Sequence, residues 1–537
     1  MALWSLKDKR ILIVEDFPQM RSMLRGSLIG FGAQNIKEAK NGEEAIDALA
    51  SGPIDIVLCD YNLGNGKDGQ QVLEEAKYKN LLAYSSIFVI TTAENTIEMV
   101  MGAVEYQPDS YLTKPFTKAV LQSRLMKLME KKDSLAEISK ALQKQDHLTA
   151  IKLCDKQLQN KPKNRLELLK LKGELLEILG DYDKAITLYE ELLKERSILW
   201  ASLGLGRIQY CQRHFEQAKA VFENLIKENA AFVTAYDWLA KTLEKLGDSK
   251  QSQKVLTEAV AKSPKTILRQ RSLAEISFKN RDFDTSESAF KKAVRIGKNS
   301  CYKNPTDYTG LAKTLVEKDS PIEALKVVAS IKQEFHENTG ADLQAAVLEG
   351  MIYQRQDQRE QCEKAINKAL DHYSKQPDGL SHEVTMDLAK VCFSAGQKEK
   401  GHELIKQLIC DHHENEDILS QAKQLYSDVG MEQEGNDLIS LAYKEVVEIN
   451  NRGVKLATEG KFEESIELFV KAAKAMPNNL TINLNAAQTL IMQMQKTNSS
   501  KSDPNLAGIY LDRVRTINPA NEKLQKLTAI LNTLKSN

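Results

Sequence analysis

The sequence predicts a doubly wound α/β domain with a five-stranded parallel sheet, followed by an all-α superhelical solenoid. Three observations predict it. In residues 1–130, short apolar runs end in polar residues and alternate with amphipathic stretches. From about residue 134 to 537, strand signals almost vanish and small residues recur with a period near 34. Only 12 prolines and 26 glycines punctuate the 537 residues, which favours long helical arrays over loop-rich β architecture.

The elements of the first domain follow in order. Ile11-Leu12-Ile13-Val14 ends in Glu15-Asp16, and Ile54 to Cys59 ends in Asp60. Ile87 to Ile90 ends in Thr91-Thr92, and Ser110 to Thr113 ends in Lys114-Pro115. A fifth strand is expected around Asn35 to Ala39. Continuous apolar runs of this kind suit strands covered on both faces. Helical periodicity marks Gln19 to Ile29, Gly42 to Leu49, Val72 to Lys77, Thr96 to Val104 and about Thr117 to Met129.

The polar residues collect at strand carboxyl ends, where open parallel sheets bind ligands. Glu15, Asp16 and Asp60 converge there. Three carboxylates held together repel unless a cation neutralises them, and oxygen ligands suit Mg²⁺. Lys114 adds a positive charge and Thr92 a hydroxyl. This set suits an incoming phosphoryl group attacked in line by one carboxylate. A doubly wound domain with an inert acidic edge is the bland alternative.

The motifs Val14-Glu15-Asp16, Cys59-Asp60-Tyr61-Asn62-Leu63, Thr92-Ala93-Glu94 and Tyr111-Leu112-Thr113-Lys114-Pro115-Phe116 resemble the receiver domain of two-component response regulators. The stretch from Phe17-Pro18-Gln19-Met20-Arg21 to Glu38-Ala39 is similar to the single-domain chemotaxis receivers. The resemblance implies Asp60 as phosphoacceptor. It implies Glu15, Asp16 and Asp60 as Mg²⁺ ligands, completed by the Asn62 backbone carbonyl. Thr92 and Lys114 would contact the phosphoryl group, Tyr111 would swing inward behind Thr92, and the Lys114-Pro115 bond would be cis. Asn62 and Glu94 match positions that tune phosphoryl lifetime. Two departures stand out. Glu15 replaces a common Asp, and Leu63 to Gly69 is one residue longer than usual and lacks the Pro that usually follows the phosphoacceptor.

Beyond the α/β domain, small residues stand at Gly173, Gly206, Ala240 and Ala274, and again at Ala150, Ala185, Ala218, Ser252 and Ser286. Four positions after the second series come Cys154, Tyr189, Phe222, Leu256 and Phe290. Turn signals precede that series at Gly180-Asp181-Tyr182, Arg213-His214-Phe215, Gly247-Asp248 and Arg281-Asp282-Phe283. Each unit therefore reads as two antiparallel helices that approach closely at Gly or Ala, with a large side chain plugging the gap. Pro162, Pro264, Pro477 and Pro519 end units. One unit cannot bury its apolar face alone, so stacking supplies the core.

This pattern resembles the tetratricopeptide repeat (TPR). The clearest units are Leu166 to Ser197, Ile198 to Ala231 and Ile449 to Asn478. The solenoid is assigned to residues 134–537, in about eleven units, some degenerate. A weak unit is expected around Ala422 to Ala442 and an insertion at Lys496 to Asn505. A HEAT-like array is the alternative fold. Repeat arrays of this kind offer a concave surface to a protein partner. Asn450, Asn451, Asn483 and Asn485 cluster in the last two units and are expected to be mainly solvated. Cys410-Asp411-His412-His413-Glu414 invites a metal reading, but consecutive residues on a helix diverge, so a solvated turn is expected instead.

Composition narrows the function. Seventy-four basic residues balance 74 acidic ones, which excludes a globally basic nucleic-acid binder. No apolar run reaches the ~18 residues of a membrane span. The first ten residues lack a signal-peptide stretch and the seven cysteines form no C-x-x-C pair, so a cytoplasmic, reduced setting is expected. The receiver resemblance, not the composition, implies a response regulator without enzymatic output, fed by a histidine kinase or phosphotransfer protein. Its TPR surface would bind an unidentified protein, and a homodimer stays open. The same resemblance implies that phosphorylation would act through the fourth helix, the fifth strand and the helix after it. A repeat-mediated phosphatase and a constitutive scaffold are the alternatives. Lys131 to Asp133 is read as the short junction, with the first repeat helix at Ser134.

Overall fold

The computed structural model describes residues 5–93, 107–160, 162–336, 338–375, 381–497, 503–518 and 521–536. The chain forms two compact units, Met1–Thr314 and Leu315–Asn537.

The first unit begins with five parallel strands in the order β2-β1-β3-β4-β5. They are β1 (Arg10–Val14), β2 (Asn35–Ala39), β3 (Ile56–Asp60), β4 (Ile87–Thr92) and β5 (Ser110–Thr113). The register pairs Val14 with Ala39 on one side and Val14 with Cys59 on the other. Alternate side chains of β1 and β3 feed two cores. Ile11, Ile13, Ile56 and Leu58 enter one, with Leu24 and Leu28 of α1 (Pro18–Ile29) and Leu121 and Leu125 of the helix Lys118–Asp133. Leu12, Val14, Val57 and Cys59 enter the other, with Ala45 of α2 (Gly42–Ala50) and Val72 and Leu73 of α3 (Gly69–Tyr78). Burial on both faces explains the unbroken apolar runs. The expected helix at Thr96 to Val104, together with Glu94, lies outside the described residues.

The junction differs from the expectation. Lys131–Asp133 is the last turn of the helix Lys118–Asp133, and the next helix runs Ala136–Gln143. Lys131 and Lys132 sit in that last turn, where a positive charge suits the carbonyl end of a helix dipole.

The rest of the first unit is helix pairs. Arg165–Ile178 turns into Tyr182–Glu195, Leu199–Cys211 into Phe215–Glu228, Val233–Lys245 into Ser249–Lys262, and Ile267–Lys279 into Phe283–Gly297. Each turn is made by one residue of positive φ: Gly180, Arg213, Gly247 and Arg281. The small residue five positions later (Ala185, Ala218, Ser252 or Ser286) is fully buried. The close approach is literal. A Cβ on Gly173 would meet the Tyr189 ring at 2.4 Å, and one on Gly206 would meet Phe222 at 2.5 Å. Where the buried residue is serine, its hydroxyl has a partner. Ser252 Oγ donates to the Ala240 carbonyl at 3.1 Å, and Ser286 Oγ to that of Ala274 at 3.0 Å.

The second unit continues the pairing around one core that reaches from Leu343 to Leu531. The expected weak unit contributes the helix Glu416–Asp428, but its second helix does not stop. Glu432–Thr458 is continuous, so Ile449 lies inside it rather than at the start of a new element. No Pro interrupts that stretch, and Gly453 is tolerated because Phe469 fills the space where its Cβ would be. Two polar clusters expected to be solvated are buried in part, with Asn451 and Glu414 exposed as expected. Asn483 is 0% exposed and donates to the carbonyls of Pro477 and Asn479. Asn485 donates to Asn450 Oδ1 at 2.6 Å. His413 is also buried, with Nδ1 3.0 Å from Asn479 Nδ2, so Cys410 and His413 pack inward while Glu414 faces water. Pro519 and residues 498–502 of the expected insertion lie outside the described residues.

Candidate functional site

The strand order reverses between β1 and β3, and their carboxyl ends open a crevice at that point. β1 delivers Glu15 and Asp16 into it, and β3 delivers Asp60 as its last residue. One carboxylate oxygen from each of the three lies within 4.8 Å of the others. Glu15 and Asp60 are buried, whereas Asp16 is exposed.

Lys114 follows β5 and reaches across this group. Its Nζ lies 2.8 Å from Glu15 Oε2 and 3.0 Å from Asp60 Oδ2. Burial pushes the Asp60 carboxyl above its ordinary range, although the Lys114 hydrogen bond pulls the other way. Glu15 is raised for the same reason, with Lys114 again opposing. Burial works against the Lys114 charge, but the bonds to Glu15 and Asp60 outweigh it and hold its pKa above normal. Lys114 pairs with two of these three carboxylates, Glu15 and Asp60, so among the described residues the three carboxylates are not fully offset by that ammonium. The all-oxygen donor set is the chemistry a hard divalent cation takes.

The remaining predicted residues surround this centre. Thr92 ends β4 and is buried, and its carbonyl accepts the Lys114 backbone N–H at 2.6 Å. Tyr111 lies on β5 with its hydroxyl buried and without a hydrogen-bond partner among the described residues. Burial drives the pKa of that phenol well up. The Lys114-Pro115 peptide is cis. Asn62 stands two residues beyond Asp60, its side-chain oxygen accepting the Gly64 N–H at 3.2 Å.

Sequence reasoning missed the glycines that bring the loop in. A Cβ on Gly69 would stand 2.1 Å from the Asp60 carbonyl oxygen. A Cβ on Gly42 would stand 2.8 Å from the Lys67 carbonyl oxygen. Asp68 then caps α3 in a capping box with Gln71. The sequence signal was present as D-G-Q-Q, an N-cap followed three residues later by Gln.

Residues 11–126 match the response regulator receiver domain family, and residues 167–197 match the tetratricopeptide repeat. Over 125 residues the chain is 34% identical to chemotaxis protein CheY-3 of Vibrio cholerae serotype O1, covering 23% of this chain and 95% of that protein. The chain belongs to the response regulator receiver family. A second relative of its receiver domain, chemotaxis protein CheY of Pseudomonas aeruginosa, is 31% identical over 122 residues, covering 23% of this chain and 97% of that protein. Among solved structures, a two-component response regulator from Clostridium difficile is 26% identical, covering 23% of this chain and 97% of that one, at a TM-score of 0.21. The repeat match coincides with the unit read from Leu166 to Ser197. The protein thus joins a receiver, which supports response-regulator signalling, to TPR helices, which support protein–protein interaction. Among the described residues, no helix is long and apolar enough to cross a membrane.

Proposed function

We propose that the chain is a phosphorelay response regulator that accepts a phosphoryl group on Asp60 and passes the signal on through protein contacts of its TPR region. The observation that carries this reading is Lys114 bridging Glu15 at 2.8 Å and Asp60 at 3.0 Å beside Asp16. Glu15, Asp16, Asp60 and the Asn62 backbone carbonyl are the groups that would hold Mg²⁺. The ion, when bound, offsets charge on the site and on the incoming phosphate. An Asp60 oxygen forms the new bond to phosphorus as the bond to the donor's leaving atom breaks, and Lys114 stays with the phosphoryl oxygens. The Thr92 hydroxyl takes a further oxygen, and Tyr111 follows it inward. The donor is a histidine kinase or phosphotransfer protein acting in the cytoplasm. The receiver's own phosphotransfer and hydrolysis are the only reactions assigned.

The test is acyl-phosphate formation on the full chain with acetyl phosphate. Wild type should gain a Mg²⁺-dependent, alkali-labile phosphate, and Asp60→Asn should gain none. A wild type that stays unlabelled, or label that persists in D60N, would overturn the reading.

A further inference from the structure

The outer face of α3 would meet water in an isolated receiver, yet Gln70, Glu74 and Glu75 are each less than a tenth exposed. The repeats of the same compact unit help to cover that face. Ser300 Oγ donates to Glu74 Oε2 at 2.9 Å in buried surroundings. Tyr302 meets Tyr78 edge to face, with ring centroids 5.2 Å apart. Asn299 Nδ2 donates to the Gly66 carbonyl at 2.9 Å. Lys265 stands over the Tyr61 ring, 5.8 Å from its centroid. Its charge also favours ionised Asp68, the N-cap of α3.

These contacts fall on the loop beside the acidic site. Tyr61 directly follows Asp60, and Gly66 lies in the stretch where the family usually has a proline. Gly64 and Gly66 both have positive φ, so the free loop has many conformations to lose. A second element that holds it therefore does what the missing proline would do. A cavity of about 400 Å³, lined by Asp68, Gln71, Lys265 and Arg295, lies against the seat.

We infer that Asn299, Ser300 and Lys265, carried by the repeats, are positioning residues for the Asp60 site. They hold residues 61–68 and α3 in register, so occupancy of the site and seating of the receiver on the repeats are coupled. By linkage, whatever the seat does for ligand affinity, the ligand does for the seat. A pre-organised loop binds more tightly because less order is lost on binding.

The inference rests on the phosphoacceptor reading, and the experiment separates the two. Beryllofluoride is titrated into the full chain with Mg²⁺, following hydrogen exchange of residues 56–78, and acyl-phosphate half-life is measured in parallel. Asn299→Ala with Ser300→Ala should weaken the mimic about fivefold, shorten the half-life and speed exchange in 61–78. Asn299→Gln with Ser300→Thr, which keeps both donors, should recover most of the loss. Lys265→Met, which keeps most of the stem and removes the charge, should shift affinity in the same direction by less. Equal affinity and half-life in wild type and variants would sink the coupling alone. Tighter binding in the variants would show a seat that opposes the site, which also overturns a positioning role. A wild type that binds no mimic would remove the phosphoacceptor reading and this inference with it.

Discussion

The receiver and the repeats that follow it bury their cores in opposite ways. In the receiver, β1 and β3 send alternate residues to two cores, and every apolar residue of β1 is fully buried. Both cores share the same strands, and Glu15 directly follows the first of them while Asp60 ends the second. In the first repeats after it, small clusters follow one another along the chain, unlike the single larger core of the second unit. Leu135 to Leu175 form one, and Leu169 to Ile208 form the next. Each aromatic plug touches its own pair of helices or the next. The difference predicts where damage travels. A disturbance in the sheet should reach the site, whereas one in a repeat should stay near its neighbours.

The largest expected effect tests the first half of that contrast. Gly69→Ala puts a methyl 2.1 Å from the Asp60 carbonyl oxygen and 3.1 Å from Cys59 Sγ. Backbone cannot rotate away as a flexible side chain can, so α3 or the end of β3 must shift. The cost should be about 3 kcal/mol, the upper end for an overpacked core. Calorimetry should show the receiver transition at lower temperature, and phosphate uptake at Asp60 should fall with it. Normal uptake in a destabilised variant would break the comparison, because the sheet would then not transmit to the site.

Gly206→Ala tests the other half and should be milder. Its methyl would meet Phe222 at 2.5 Å, a ring that is fully buried and stacked near Trp238. The expected loss is about 1–2 kcal/mol. Hydrogen exchange should quicken across residues 199–228 while the acyl phosphate on Asp60 keeps its half-life. Loss of protection throughout the first unit would mean that receiver and repeats unfold together, and the local picture of the repeats would fail.

The same contrast governs what could be read from the residues alone. β1, β3 and β4 were legible because a covered parallel strand leaves an unbroken apolar run with its chemistry at the end. Glu15, Asp60, Thr92 and Lys114 follow from that rule together with the family motifs. The repeats were legible as a period, since Ala185, Ala218, Ser252 and Ser286 recur for one steric reason. What did not show were contacts that break both rules. Ser300 reaches Glu74 across 226 positions and Asn299 reaches Gly66 across 233, through single polar residues with no motif. The burial of Asn483 was hidden because its partners are backbone carbonyls, which no sequence pattern names. Glu432–Thr458 departs from the repeat pattern for a different reason: one helix runs through Ile449, where the period places the start of a unit.

The smallest effect sharpens the account of the turns, where repeat and repeat can be compared directly. Gly180 and Arg213 occupy the same place, with φ of 73 and 62. The hydrogen bonds around them also match. Gly180 N–H donates to Glu177 and Asp181 N–H to Leu176, while Arg213 N–H donates to Tyr210 and His214 N–H to Gln209. Arginine therefore makes the turn that glycine makes, at the steric cost a Cβ carries in the left-handed region, about 1 kcal/mol. Arg213→Gly removes that cost. It also gives the unfolded chain more freedom, which takes back about 0.4–1 kcal/mol. The net should be a gain of no more than about 0.6 kcal/mol, seen as slightly slower exchange at residues 199–228. Arg281→Gly, at φ 62, should behave alike. A clear loss in either variant would mean that the arginine side chain stabilises the turn by more than its backbone strains it.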